Sequence, residues 1–385
     1  MDFEETEEQR LLRESVRRIA SSFGHRWYVE RARAGEKTKP LWEALAKEGF
    51  LGVSIPEAYG GGGLGISELC IVCEELSTAG CPLLLLVVSP AICGTVIARF
   101  GDDAQRQRWL PGLASGATTM CFALTEPDAG SNSHQVSTTA VKDGDSWRIS
   151  GQKYYISGVD EAEQMLLVTR TGTDERTGRG QLSLFIVDTD TPGLRRDPIA
   201  MELVSPEKQF TLFFDDVRVP ADRLIGGEGQ GLKALFFGLN PERITSAAYC
   251  VGLARYALEK GSSYARDRKV WGGTPIGAHQ GIAHPLAKAF VQTELAKLMT
   301  QKAAWLHDHG KDAGEASNMA RLSSADAAID ALDAAIQTHG GNGLASEYGL
   351  ADLWGFARLQ RIAPVSREMI LNFVAQHSLG LPKSY

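Results

Sequence analysis

Apolar residues recur at helical spacing over the first third of this chain, switch to short β-rich runs, and then return to helical spacing in unusually long segments. In EEQRLLRESVRRIASSF the residues Leu11, Leu12, Ser15, Ile19 and Phe23 line one face, with charge opposite. Pro40 opens LWEALAKEGF, which stops at Gly49, and Asp102 or Asp103 is placed to cap AQRQRWLPGLASG. The middle reads TMCFAL, SWRISGQKYYIS, QMLLVTR, QLSLFIVD and FTLFFDDVRV, separated by turns such as Lys142-Asp143-Gly144-Asp145 and Asp190-Thr191-Pro192-Gly193. That alternation predicts an antiparallel sandwich or small barrel. Three long segments follow (232–268, 276–310 and 316–341), with more apolar surface than one small domain needs. The expected fold is α+β: an N-terminal helical domain over 1–117, a central β domain over 118–228 and a C-terminal helical bundle over 229–385.

Composition closes off several classes. At 43% hydrophobic and 23% charged residues the chain is an ordinary globular one, and its net charge of −7 argues against a nucleic-acid partner. Six scattered cysteines do not make a disulfide scaffold. The acidic start MDFEETEEQR has neither the basic nor the apolar region of a signal peptide, so a cytoplasmic protein is expected. The most apolar stretch, Pro82 to Phe100, is broken by Ser89-Pro90, Gly94 and Thr95, and reads as a buried helix pair rather than a membrane span.

Generic motifs are poor. Cys70 and Cys73 share a helical pattern without a second ligand pair, which favours buried thiols. His279, His284, His307, His309 and His339 form no metal pattern, and His307 and His309 fit a solvated helix end. The glycines at 60–63 lack the Lys-Ser/Thr of a phosphate loop and read as a turn. No metal site is expected.

Longer motifs are more specific. FALTEPDAGS (122–131), Gln152-Lys153-x-Tyr155-Ile156-Ser157, Phe214-Asp215-Asp216-Val217-x-Val219-Pro220 and Gln337-x-x-Gly340-Gly341-x-Gly343 occur in this order. With the PEAYGG turn, FGDDAQRQRWLPGLASG and the stretch from Tyr264 to Gln280, they give the chain a resemblance to the acyl-CoA dehydrogenase family of flavoproteins over nearly its whole length. The resemblance implies FAD, a four-helix C-terminal domain, and a homotetramer built as a dimer of dimers. It sets Phe122, Leu124 and Thr125 along the flavin ring, and Ser131 at the FAD pyrophosphate or the acyl-CoA. Tyr155, Ile156 and Ser157 stand where many members have Trp-Ile-Thr against the flavin. Arg268 corresponds to the arginine that reaches a neighbouring subunit's FAD diphosphate, a task suited to its fixed fork of donors. Trp271 stands for the next aromatic residue and Gln280 for the following glutamine, across a loop one residue longer than usual. Gln337, Gly340 and Gly341 match the segment that cradles the adenosine half of a neighbour's FAD.

The resemblance breaks at the usual base. Where many members read Ile-Tyr-Glu-Gly-Thr, this chain reads Ile362-Ala363-Pro364-Val365-Ser366, and proline supplies neither a carboxylate nor an N–H. Ser366 and Glu368 belong to the flavin-contacting side of that motif. Isovaleryl-CoA and long-chain dehydrogenases carry the working glutamate on the first long helix of the C-terminal domain, immediately before an arginine. Leu239-Asn240-Pro241-Glu242-Arg243 matches that place, which makes Glu242 the expected base, with Asn240 and Arg243 beside the substrate. Asn240 and Pro241 also fit the cap and first turn of a helix. MELVSPEKQF (201–210) replaces the family's Gly-x-Arg-x-Ser-x-Thr stretch and is expected to remodel the edge of the site. The implied reaction is α,β-desaturation of an acyl-CoA, with electrons passed to an electron-transfer flavoprotein. Two alternatives stay open: a relative with changed chemistry (a carrier-protein thioester desaturase, enoyl-CoA reductase, sulfinate-releasing enzyme, oxidase or monooxygenase), or a non-catalytic subunit that binds FAD or CoA.

Overall fold

The computed structural model describes residues 4–383. Helix α1 (Glu7–Ala34) opens with a reciprocal cap between Thr6 and Gln9. Its buried seam is Val16, Ala20, Tyr28 and Val29, while Leu11, expected inside, is 57% exposed. Leu12, Ile19 and Phe23 of the expected face do pack on the core, and the inner side also carries charge where Arg13 and Arg17 reach the buried Glu75. Against the desolvation that burial imposes, Arg17, Arg255 and Arg13 bring the Glu75 carboxyl down to about 2.

Helix α2 (Lys39–Lys47) has Pro40 in its first turn. The glycines at 60–63 form the expected turn, and a Cβ on Gly61 would stand 2.0 Å from the Ile55 carbonyl oxygen. Helix α3 (Ile66–Thr78) starts after Gly65, which has no capping side chain; Asp308 accepts instead from the Ile66 and Ser67 N–H groups at 2.7 and 3.0 Å. Cys70 and Cys73 are buried on α3, and burial pushes the Cys73 thiol up to about 12.

Helix α4 (Leu84–Leu86), a π-helical segment (Val87–Gly94) and α5 (Thr95–Phe100) follow without a break. They make one buried rod rather than a helix pair. Pro90 has no N–H to donate, and the wider π turn accommodates the missing bond. Helix α6 (Asp103–Ser115) is capped by Asp102, as expected.

The middle of the chain forms one eight-stranded sheet from β1 (Met120–Ala123), β2 (Thr139–Asp143), β3 (Ser146–Ser157), β4 (Gln164–Thr173), β5 (Gly180–Asp188), β6 (Leu194–Ile199), β7 (Gln209–Pro220) and β8 (Leu224–Ile225). The order is β6-β7-β3-β2-β4-β5-β8, and β1 also pairs with β4. The sheet is mixed, not purely antiparallel: β1 and β2 both run parallel to β4, one after the other along the same edge. Between them the chain leaves the ladder at residues 124–138.

Helix α7 (Gly231–Asp267) leads through a two-stranded turn, β9 (Lys269–Val270) and β10 (Thr274–Pro275), into α8 (Gln280–Asp308) and α9 (Gly314–His339). The fourth member of the bundle is broken into α10 (Trp354–Leu359), α11 (Arg367–Phe373) and a π turn (Val374–Ser378). His307 is not the solvated group expected: its ring lies 5.4 Å from that of Phe237, and burial lowers its pKa.

Asn240 and Pro241 do not open a helix either, because α7 runs through them. Gly238 seats this part of α7 against the buried rod, where a Cβ would come 2.7 Å from Val96 Cγ2, and Leu235 and Pro241 are buried beside it. That packing outweighs the one hydrogen bond Pro241 cannot donate.

The α3–α7 contact is equally close. A Cβ on Gly252 would stand 2.3 Å from the Glu74 carbonyl oxygen. Gly→Ala in a helix ordinarily gains about 1 kcal/mol. Here Gly252→Ala is expected to cost about 1–3 kcal/mol through overpacking, read as a lower melting temperature; a higher one would mean the two helices part freely.

Candidate active site

Glu242 lies one turn beyond Gly238 on α7, so it faces the same buried rod. There it sits within electrostatic reach of Cys93, whose thiol lies 3.6 Å from the Cys121 carbonyl oxygen of β1. The carboxylate is thus placed where α7, the rod and β1 meet. It has no hydrogen-bond partner among the described residues. Burial pushes it up to about 7, with Arg243 and Arg321 pulling the other way. Arg243 is half-buried and donates to the Asn240 side-chain oxygen at 3.2 Å, and burial lowers its pKa. Phe122, Leu124 and Leu239 stay partly exposed while packing on the core cluster that contains Cys93. A carboxyl titrating near neutrality beside apolar walls suits proton transfer to or from carbon.

The segment where the ladder opens carries the other expected residues. Thr125 and Ser131 have hydroxyls with no protein partner among the described residues, and the Thr125 carbonyl accepts from the Tyr154 N–H at 2.8 Å. Tyr155 sits at an irregularity in the β3–β7 register, at φ 57 and half exposed. A non-glycine residue in that conformation is held there by its surroundings, and here the bulge turns an aromatic ring outward. Ile156 differs from expectation: its side chain is in the sheet core, leaving only backbone for a ligand. The Ser157 hydroxyl donates to Gln209 Oε1 at 2.9 Å.

Two buried charges that were not predicted hold this segment. Lys153 Nζ donates to the Leu124 carbonyl and to Glu126 Oε1, each at 2.9 Å. Glu126 also accepts from the Ser137 N–H and hydroxyl and from the Thr138 N–H. Against desolvation, Lys153 and these donors bring Glu126 down to about 2. A signal for Lys153 did exist, since it shares the inward period-two phase of Trp147 and Ile149 on β3.

Arg268, Trp271, Gln280, Gln337, Gly340 and Gly341 are all exposed at the far end of the bundle. Arg268 has no carboxylate within ion-pair distance among the described residues, and a Cβ on Gly340 or Gly341 would meet nothing of this chain. Free hydroxyls, an outward aromatic ring, an open glycine turn and an unpaired guanidinium fit the ring, hydroxyl and diphosphate groups of FAD. The structure does not bring the two groups together. Arg268, just past the end of α7, lies 26 positions along the chain from Glu242, about 39 Å of helix axis. Ser366 and Glu368 have structural work as well: Ser366 caps α11, accepting from the Met369 N–H, and Glu368 is an exposed acid in its first turn.

Segment 201–210, expected to remodel the site's edge, reaches further into the fold. Within it, Glu207 is 4% exposed and accepts from the Leu84 N–H at 2.8 Å, capping the front of the buried rod. A cleft of about 1180 Å³ lies elsewhere. It runs between α2 and the ends of β4 and β5, with charges of both signs, and contains none of the expected site residues.

Known proteins share this fold. The N-terminal, middle and C-terminal domains of acyl-CoA dehydrogenase match residues 6–117, 121–217 and 229–379. Acyl-CoA dehydrogenase FadE12 of Mycobacterium tuberculosis is 57% identical over 385 residues, covering 100% of this chain and 99% of its own. The structure of butyryl-CoA dehydrogenase from Megasphaera elsdenii superposes with a TM-score of 0.92 at 28% identity, over 98% of this chain and 100% of that one. An FAD complex of PigA gives the same TM-score at 26% identity, over 99% and 100%. With three domains in order and a relative identical at more than half its positions, the chain belongs to the acyl-CoA dehydrogenase family of oxidoreductases.

Proposed function

We propose that this enzyme converts an acyl-CoA to its trans-2-enoyl-CoA, using FAD and with Glu242 as the base. The observation that carries this is Glu242 itself: a carboxylate without a partner, held near neutrality at the junction of α7, the buried rod and β1. Bound FAD supplies the acceptor for the β-hydrogen and its electron pair. Glu242 takes the α-proton, so that one C–H bond breaks on each carbon and the double bond forms between them. Phe122, Leu124 and Leu239 exclude water from the acyl chain, which keeps the base weakly solvated and strong. Asn240, by accepting from Arg243, holds that guanidinium beside the base.

Thr125, Tyr155 and Ser157 hold the flavin half of the cofactor, and Ser131 meets its pyrophosphate or the acyl-CoA. Arg268, with Trp271 and Gln280 of the same motif, reaches the diphosphate of a neighbour's FAD, and Gln337, Gly340 and Gly341 cradle its adenosine half, a reading supported by the length of α7. The assembly is a homotetramer, supported by a stripe of exposed apolar residues on α8 (Phe290, Val291, Leu295, Leu298) and by Trp271 at 85% exposure. Electrons leave to an electron-transfer flavoprotein. No helix among the described residues is long and apolar enough to cross a membrane.

The test is to add a panel of acyl-CoAs anaerobically to the purified flavoprotein and follow the visible flavin bands. Bleaching, with a product two hydrogens lighter, is expected for at least one chain. No bleaching with any acyl-CoA would remove the desaturase reading. Bleaching followed by fast recovery in air would favour oxidase chemistry.

A further inference from the structure

A buried cation stands behind the turn formed by Gln360 to Pro364. Arg321, on α9, is 1% exposed. Its guanidinium donates to the Gln360 carbonyl, to Gln360 Oε1 at 2.9 Å and to the Ala363 carbonyl at 2.7 Å, and it approaches Cys250 Sγ on α7 at 3.4 Å. Among the described residues no carboxylate lies within ion-pair distance, and Nε has no partner at all. The same turn is also tied to α9 at the surface, where Asp326 pairs with Arg361 and Arg367. A guanidinium buried without a counter-ion is a poor device for stability, because an apolar side chain of similar size usually does better. Its charge calls for another use.

That use is at Glu242. Arg321 touches α7 at Cys250, two turns beyond Glu242 on the same face, and the charged and titratable groups within electrostatic reach of this carboxylate are Arg243 on its own helix, Arg321 from α9 and the Cys93 thiol from the buried rod. Burial holds the Cys93 thiol neutral. Arg243 and Arg321 both spend their hydrogen bonds on neutral groups, so both charges act on Glu242, Arg243 from the next position on α7 and Arg321 from across the bundle.

We propose that Arg321 is a positioning residue of the reaction: it fixes the Gln360–Pro364 turn against α7 and α9, and its uncancelled charge favours the ionised form of Glu242. This rests on Glu242 being the base. In this chain the turn supplies no carboxylate, and the cation that grips it serves the glutamate on the neighbouring helix.

The test uses the flavin-loaded enzyme and an acyl-CoA that bleaches it, following the bleaching rate from about pH 5.5 to 9. Arg321→Met and Arg321→Gln are expected to move the midpoint of the profile upward by about one unit, and Arg321→Lys to keep it within about 0.3 unit. Hydrogen exchange at residues 361–366 should quicken about tenfold in the Met and Gln variants. A neutral variant that keeps its flavin and overlays the wild-type midpoint overturns the proposal, as does a Lys midpoint displaced by a full unit. If both neutral variants lose their flavin, Lys decides in the same way: slower bleaching at an unmoved midpoint supports the proposal. Failure of the base reading would show separately, as undiminished bleaching in Glu242→Gln, while the exchange result still judges the hold on the turn.

Discussion

Glu242→Gln is expected to slow anaerobic bleaching at about pH 8 by two to four orders of magnitude, and at the same pH to make the protein harder to unfold. The first effect is the loss of the group that accepts the α-proton. The second follows from the same burial. The folded carboxyl titrates at about 7, above its ordinary value of 4.5, so folding favours the protonated form. Below about pH 4.5 both states hold the proton, and wild type and variant should unfold alike. Above about 7 the folded wild type carries a charge its surroundings disfavour, a penalty of at most about 3 kcal/mol that glutamine escapes. The wild-type bleaching rate should correspondingly climb as pH rises through about 7. Stopped-flow bleaching and denaturant titrations across this range check both halves. Equal bleaching rates in the two proteins would eliminate Glu242 as the base.

Lys153→Met should be the most destabilising single change in the β domain. Lys153 is fully buried and Glu126 is 4% exposed, so removing the ammonium strands a carboxylate with only the Ser137 and Thr138 donors. Breaking a buried pair from one side costs about 3–5 kcal/mol. Lys153→Met with Glu126→Gln removes both charges and should recover much of the loss, which a double-mutant cycle in urea would read. The single variant should also release flavin faster, because the Leu124 carbonyl loses its anchor and the 124–138 segment loosens. A cost under about 1 kcal/mol would show that the strand is held by something else.

How much of this was legible in the sequence follows the range of the interactions involved. Local signals carried well: Asp102 caps α6, Pro40 opens α2, and the switches of periodicity mark the β region. Polar or exposed strands such as β6, and the parallel seating of β1 and β2 on β4, leave little trace because they depend on partners distant in the chain. The rule that charge faces water misled at Arg13, and it hid Lys153 and Arg321, each buried because a partner arrives from another element. Glu242 was singled out through resemblance. Its setting was not, since Asn240-Pro241 reads as a helix start and only the contact of Gly238 with the rod shows why the helix continues.

The length of α7 also has a genetic consequence. In the homotetramer proposed above, one end of this helix would answer for its own subunit's catalysis and the other for a neighbour's. Two alleles, one damaged at each end, would then assemble into mixed oligomers in which some centres inherit only sound parts. Defects that are silent together and harmful apart are what such a division of labour produces.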